Sequence, residues 1–126
     1  MPVELKISND GDTLEMLASG DINQKQILAA AYEIYESPVL SAIKYHFVDY
    51  SFATSLELDD VAAAENFNLD ALMAEKYPNM RTAVVAPTDP IFELCHAWEL
   101  QVTKFSMTGR AFREREAAIA WLYGTD

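Results

Sequence analysis

The sequence predicts an α/β domain built on a mixed, mostly parallel five-stranded sheet. The last third of the chain reads strand, helix, strand, helix, and each segment is as long as one layer of a small α/β domain requires. Met80–Ala86 is a mostly apolar run with paired valines, which is typical of a strand covered on both faces. Near the N-terminus, Val3, Leu5 and Ile7 alternate with polar residues, which is the period of a half-exposed strand. We therefore expect five strands and about four to five helices.

The first half of the chain is predicted to form an antiparallel hairpin, a helix and a third strand. The hairpin turn is Asn9-Asp10-Gly11-Asp12, a sequence typical of tight turns. Asn23 and Gln26 have the spacing of a capping box at the start of the helix. The predicted elements are the strands Val3–Ser8 and Thr13–Ala18, the helix Asn23–Glu36, and the strand Ile43–Tyr50.

Two helical segments are predicted between the third and fourth strands. Either Thr54 or Ser55 has the hydroxyl that caps a helix N-terminus, and the helix would then run over about Glu57–Glu65. Asn66-Phe67-Asn68 is expected to break that helix, and Leu69–Lys76 is expected to cover the sheet. The paired carboxylates Asp59 and Asp60 indicate helix N-terminal charges that complement the helix dipole.

The remaining elements complete a parallel arrangement. Asp89 is the predicted N-cap of the third helix and Pro90 its first residue, Phe105–Phe112 is the fifth strand, and Glu114–Tyr123 is a helix that ends at Gly124. Helical crossovers separate the last three strands, so these strands should be mutually parallel. The first strand should be antiparallel and lie at an edge of the sheet.

Length and charge limit the classes of function. At 126 residues the chain fits one domain, residues 1–126. Its net charge of −11 would repel phosphate backbones and anionic lipid surfaces, which argues against nucleic acid as a partner. No apolar run approaches the length of a membrane span, and the N-terminus has no secretory pattern, so we expect no membrane insertion. The single cysteine, Cys95, fits a reducing, cytoplasmic location.

Several sequence motifs resemble a family of small bacterial proteins. They are Gly20-Asp21 before the first helix, Val48-Asp49 at the end of the third strand, Thr82-Ala83-Val84-Val85-Ala86-Pro87-Thr88-Asp89, and Ala111-Phe112-Arg113-Glu114-Arg115-Glu116-Ala117-Ala118-Ile119-Ala120-Trp121-Leu122. Together with the element order, they resemble the SpoIIAA-like, or STAS/SEC14-like, family. The resemblance implies a SpoIIAA-like fold and a non-enzymatic regulatory or protein-interaction module.

The C-terminal motif has a physical interpretation as packing. Ala117, Ala118, Trp121 and Leu122 fall on one helical face, with small residues near one end and a large side chain at the other. We expect Trp121 to be a buried anchor against the sheet.

The loop after the third strand is the candidate binding site, formed by Asp49, Ser51, Thr54 and Ser55. The resemblance implies a regulatory phosphorylation in this region, since STAS regulators carry an Asp-Ser-Ser-Gly-type segment there. That pattern is absent from this chain, so the three hydroxyls are interpreted as helix-capping groups and no phosphorylation switch is expected. Asp49 either contacts a ligand or accepts hydrogen bonds from the backbone of the following loop.

No motif indicates a cofactor, a metal site or a catalytic centre. His46 and His96 are the only histidines, and neither has metal-ligand spacing with Cys95. Cys95 falls on an apolar helix face, which favours an inert buried thiol over a nucleophile. Glycine-rich phosphate-binding loops are absent. We therefore expect no enzyme activity, no cofactor and no catalytic or metal-ligating residue.

Three functional classes stay open, and the first is favoured. The first is a regulatory module with an unknown protein partner, which could also be a second copy of the chain in a homodimer. The second is a carrier of a small apolar or lipid-like ligand, and the third is an enzyme. A closed apolar cavity would favour the carrier, and a flat exposed apolar patch would favour the module. The side chains that support the carrier are Phe52, Phe67, Leu72, Met73, Phe92 and Trp98.

Overall fold

The fold is an open five-stranded sheet with helices on both faces, in a computed structural model that describes residues 3–104 and 107–124. The strands are β1 (Val3–Ile7), β2 (Thr13–Ile22), β3 (Tyr45–Leu56), β4 (Arg81–Val85) and β5 (Thr108–Phe112). The helices are α1 (Gln24–Glu36), α2 (Asp60–Lys76), α3 (Asp89–Val102) and α4 (Arg115–Tyr123), with a 3-10 turn at Leu40–Ala42. Within the described ranges, no helix is long and apolar enough to cross a membrane.

The strands lie side by side in chain order, β1-β2-β3-β4-β5. The pair β1–β2 is antiparallel, and the pairs β2–β3, β3–β4 and β4–β5 are parallel. The predicted fold class, the antiparallel edge strand and the parallel crossovers are therefore confirmed.

Alternation along the strands divides the core into two layers. Met16, Val48 and Val84 belong to a large cluster with apolar side chains of α1, α2 and α3. The intervening residues of β3 and β4 form a smaller cluster with α4, whose members are Phe47, Ala83, Val85, Ala118 and Leu122. Three helices thus cover one face of the sheet and α4 covers the other.

Strands β2 and β3 are longer than the sequence predicts. Their pairing continues to Ile22 and Leu56, past the last pair between β3 and β4 at Asp49 and Val85. Gly20, whose φ is +72°, lies between two register shifts in this stretch, where the left-handed backbone of a bulge favours glycine. Among the described residues, the two strands therefore continue past their last pairs with β1 and β4 as a two-stranded ribbon, residues 19–22 and 51–56.

The prediction that Thr54 or Ser55 caps a helix is wrong, since both residues lie within β3. Asp59 is the N-cap of α2, and its carboxylate accepts a hydrogen bond from the backbone N–H of Ala62 at 2.8 Å. The residues before Asp59 that favour turns stay in β3, because the backbone of β2 supplies hydrogen-bond partners for this stretch of the strand.

The predicted break at residues 66–68 is also wrong, because α2 runs without interruption from Asp60 to Lys76. Its buried face includes Ala62, Leu69 and Met73, on both sides of the expected break. Burial of that face outweighs the low helix propensity of two asparagines, which is well under 1 kcal/mol per residue.

The helix ends agree with the sequence in two cases and differ in a third. The capping box of Asn23 and Gln26 is confirmed, and α4 ends with Gly124 as its C-cap. Thr88, and not Asp89, is the N-cap residue of α3; Asp89 lies in the first turn and pairs with Arg113.

The fifth strand begins later than predicted, at Thr108. The first two residues of the predicted strand, 105 and 106, lie outside the described residues.

The prediction of a buried Trp121 is wrong in part, since this side chain is half-buried. Ala118 and Leu122, four residues apart, are completely buried against the sheet, whereas Ala117 is exposed. Trp121 lies at the flank of that face, where its ring packs against Phe112 and under the guanidinium of Arg81, 4.4 Å from the ring centroid. Leu122 is the anchor of α4.

Candidate ligand cavity

A cavity of about 310 Å³ lies between the sheet and the three helices that cover its first face. Strands β2, β3 and β4 form its floor, and α1, α2 and α3 form its walls. Most of the lining side chains are apolar; among them are Met16, Ile34, Val48, Phe67, Met73 and Val84. This composition and size fall within the range of small-molecule sites in proteins.

Two polar side chains interrupt the apolar floor. His46 on β3 and Thr82 on β4 are paired residues of adjacent parallel strands, so they stand side by side on one face of the sheet. They are 6% and 2% exposed, and neither imidazole nitrogen of His46 nor the hydroxyl of Thr82 has a hydrogen-bond partner among the described residues. Burial of unpaired polar groups is unfavourable, so a pair of them at one place in a core calls for an explanation.

Burial also sets the ionisation state of His46. Desolvation lowers the pKa of His46 to about 4, so the imidazole is neutral at pH 7. A neutral imidazole has one nitrogen that donates a hydrogen bond and one that accepts.

A buried carboxyl group lies in the helical wall of the cavity. Asp70 of α2 accepts a hydrogen bond from the indole N–H of Trp98 in α3, at 2.8 Å. Burial raises the pKa of Asp70 to about 7, although the hydrogen bond from Trp98 favours the ionised form. The indole ring in turn lies against Gly109 of β5, where an added Cβ would come within 2.6 Å of the ring. Glycine at this position therefore allows Trp98 to sit over the sheet.

Cys95 lines the same cavity as an unreactive thiol. It is buried on α3, and desolvation raises its pKa to about 12, so it is protonated at pH 7. No hydrogen bond in the described part of the chain joins Cys95 or a carboxylate to His46. The interpretation of Cys95 as a buried core thiol agrees with this geometry.

The four candidate binding residues from the sequence lie on β3 and not in a loop. The carboxylate of Asp49 accepts hydrogen bonds from the backbone N–H of Ser51 at 2.8 Å and from Arg115 of α4 at 2.7 Å. The hydroxyls of Thr54 and Ser55 donate to the carboxylate of Asp21, at 2.7 and 2.8 Å. None of the four lines the cavity, and Asp49 faces the opposite side of the sheet. Their role in binding stays a prediction.

The sequence-based predictions include no role for Thr82 or Asp70, and they place His46 within its strand without a function. The signal available was the presence of polar residues within two otherwise largely apolar strands, among them His46 in Ile43–Tyr50 and Thr82 in Met80–Ala86. Their adjacency depends on the register of β3 against β4, which a single sequence does not specify.

The fold of this chain is found in solved structures. No protein-family model and no curated protein sequence matches it. The structure of the anti-sigma factor antagonist SpoIIAA in its unphosphorylated form superposes with a TM-score of 0.59 at 13% identity, over 97% of this chain and 98% of that one.

Two further structures agree with this likeness. The structure of the Bacillus cell fate determinant SpoIIAA in its phosphorylated form superposes with a TM-score of 0.57 at 12% identity, over 94% of this chain and 97% of that one. The structure of an uncharacterized DUF3478-family protein from Shewanella loihica superposes with a TM-score of 0.53 at 16% identity, over 95% of this chain and 91% of that one. The chain therefore has the SpoIIAA-like fold that its sequence motifs predict.

Proposed function

We propose that this protein is a non-enzymatic binding module that takes a small, largely apolar ligand into the cavity between its sheet and helices α1 to α3. The observation that carries the proposal is the cavity itself, about 310 Å³ with mostly apolar walls. From the sequence we favoured a regulatory protein-interaction module and expected a closed apolar cavity to favour a ligand carrier instead. The cavity found here is apolar but partly open, so it meets that criterion in part. The cavity opens to solvent at one side, where Asp60, Leu94 and Gln101 are exposed, and an apolar recess of this kind is typical of a ligand site.

The side chains in the cavity support binding and not catalysis. A nucleophilic centre needs an activated nucleophile hydrogen-bonded to a base. Here the thiol of Cys95 is protonated and the imidazole of His46 makes no hydrogen bond to any described residue. The polar groups of the cavity can therefore hold a ligand but lack the arrangement for acyl or phosphoryl transfer.

Native mass spectrometry of protein purified from its own source tests the proposal, with two matched variants of α2. Ala63 lines the cavity, whereas the next residue, Ala64, is exposed. We expect a bound small molecule on the parent and on Ala64→Leu, and loss of it on Ala63→Leu, because only the latter fills the cavity. A parent free of any bound molecule, or equal retention by both variants, would contradict the proposal.

A protein-interaction role is the second candidate, supported by the likeness of fold to an anti-sigma factor antagonist. The observation that favours it is Phe52 on the two-stranded ribbon, whose side chain is 74% exposed. With a net charge of −11, the chain fits a partner with a basic surface. A partner that contacts Phe52 should cross-link to a photoreactive residue placed at position 52. It should not cross-link to the same residue at position 39, where Val39 is another exposed apolar side chain. The affinity between the purified protein and this partner should fall on Phe52→Ser. A second copy of this chain in the cross-link would indicate a homodimer instead.

A further inference from the structure

The polar groups of the cavity restrict the chemistry of its ligand, an inference that rests on the proposed function. Four buried side-chain atoms in the described ranges lack a hydrogen-bond partner: Nδ1 and Nε2 of His46, Oγ1 of Thr82 and Nε of Arg81. Three of the four belong to residues that line the cavity. These side chains form part of the cavity floor, although the unpaired atoms themselves are covered, so a ligand pairs them only when the side chains turn towards it. Such pairing would remove a desolvation penalty from the core.

The two side chains complement a group that both donates and accepts. His46 and Thr82 are paired across β3 and β4, so a single ligand group can reach both. The neutral imidazole offers one donor and one acceptor, and the threonine hydroxyl can act as either. A hydroxyl group, which donates one hydrogen bond and accepts others, matches this pair.

The electrostatics of the cavity disfavour an anion. The titratable residues that line the cavity are His46, Tyr50, Asp60, Asp70 and Cys95. No lysine or arginine is among the described lining residues. A carboxylate or phosphate would be desolvated with no cation to pair with and would face the carboxyl group of Asp70. The mostly apolar lining would desolvate a cation as well, so the lining favours an uncharged ligand.

The volume limits the size of the ligand. A cavity of roughly 150 Å³ in another protein holds one benzene molecule. A cavity of about 310 Å³ has room for twice as much, which corresponds to about ten to twelve non-hydrogen atoms.

We propose that the cavity binds an uncharged, mostly apolar molecule of about ten to twelve non-hydrogen atoms whose hydroxyl group hydrogen-bonds to His46 and Thr82. Recognition of the hydroxyl by this pair gives the site its specificity, and the apolar walls give it affinity.

Three probes with one apolar body test the proposal by calorimetric titration at pH 7: naphthalene, 2-naphthol and 2-naphthoate. They carry no polar group, a neutral hydroxyl and a carboxylate, respectively. Two hydrogen bonds to otherwise unpaired groups should make naphthol bind about 10- to 100-fold more tightly than naphthalene, and the carboxylate should weaken binding relative to naphthol at least about tenfold.

Variants of the polar pair connect that preference to the residues. Thr82→Val keeps the shape of the side chain and removes the hydroxyl, so it should lower the affinity for naphthol about tenfold and leave that for naphthalene unchanged. His46→Leu should act in the same way, and its affinity for naphthalene reports that the cavity is intact. Thr108→Val, at an exposed position of β5, is the control and should change neither affinity.

The outcomes separate this proposal from the proposed function. Binding of naphthalene with no added preference for naphthol, or a preference for naphthoate, would overturn the hydroxyl assignment while the cavity remained a ligand site. Failure of all three probes to bind would overturn both. A naphthol preference that survives Thr82→Val and His46→Leu would place the hydroxyl elsewhere and overturn the assignment to this pair.

Discussion

At the scale of single residues, His46 and Asp70 show how burial reverses two ionisation equilibria in one cavity. In the folded chain the pKa of His46 falls from 6.5 to about 4, and the pKa of Asp70 rises from 3.8 to about 7. Between pH 4 and pH 6.5 both groups are therefore neutral in the folded protein, whereas both are charged in the unfolded chain. The two groups bind one proton in total in either state, so their contributions to the pH dependence of stability largely cancel.

We predict that Asp70→Asn makes stability strongly pH-dependent. Because the pKa of Asp70 is raised by folding, its neutral form stabilises the protein below pH 3.8, and this stabilisation is lost as the pH rises towards 7. The lowered pKa of His46 acts in the opposite sense, since stability is lost as the pH falls from 6.5 towards 4. In Asp70→Asn, nothing offsets the pH dependence that His46 gives to stability. Between pH 4 and pH 7, the free energy of unfolding of the variant should therefore increase by about 3 to 4 kcal/mol more than that of the parent.

Urea melts of parent and variant at pH 4, 5, 6 and 7 measure this difference. Glu75→Gln, which removes an exposed carboxylate from the same helix, is the matched control and should leave the profile of the parent unchanged. If the free energy of unfolding varied with pH in the same way for Asp70→Asn and the parent, burial would not shift the pKa of Asp70.

At the scale of secondary-structure elements, α4 is held by its smaller apolar residues. We predict that Leu122→Ala lowers the free energy of unfolding by about 2 to 5 kcal/mol, because it leaves a cavity in the second layer. Trp121→Ala should destabilise the protein less, since that side chain is partly exposed and lies at the flank of the buried face. Denaturant melts of the two variants measure this order. Ala120→Gln, at an exposed position of the same helix, is the control and should change the free energy of unfolding little. A larger loss for Trp121→Ala would restore Trp121 as the main anchor.

The position of Ser51, Thr54 and Ser55 on β3 bears on phosphorylation. A phosphate adds about −1.5 to −2 charges, which must be balanced by a cation or a free helix N-terminus. Residues 49–65 contain no lysine or arginine, and the hydroxyls of Thr54 and Ser55 already donate to the carboxylate of Asp21. We predict no stoichiometric phosphate on these three residues. Phosphopeptide mapping of protein from its own cells checks this, and stoichiometric modification of any one of them would contradict it.

At the scale of the whole molecule, the directions of the strands and the edge position of β1 could be predicted from sequence because they depend on local patterns. The apolar run of β4 and the alternation in β1 fix strand type, and helical crossovers fix the parallel direction. The extension of β3 to Leu56 could not be predicted, because the partner that holds it lies on β2, far away in the chain. The cavity could not be predicted for the same reason, since the register that brings His46 beside Thr82 and the packing of α2 on α3 are both non-local.

The single helix on the second face of the sheet has a consequence for biosynthesis. Phe47, Ala83 and Val85 are covered by α4, which follows β3, β4 and β5 in the chain. While the chain is synthesised, these strands leave the ribosome before their cover exists, so the nascent protein presents an apolar strip until α4 emerges. Once α4 has docked, the side chain of Arg81 in β4 donates hydrogen bonds to the carbonyl oxygens of Trp121 and Gly124. These bonds hold the C-terminal end of α4 against β4. Before α4 docks, this apolar strip is available both to chaperones and to the exposed apolar surfaces of other chains, and contact with the latter leads to aggregation.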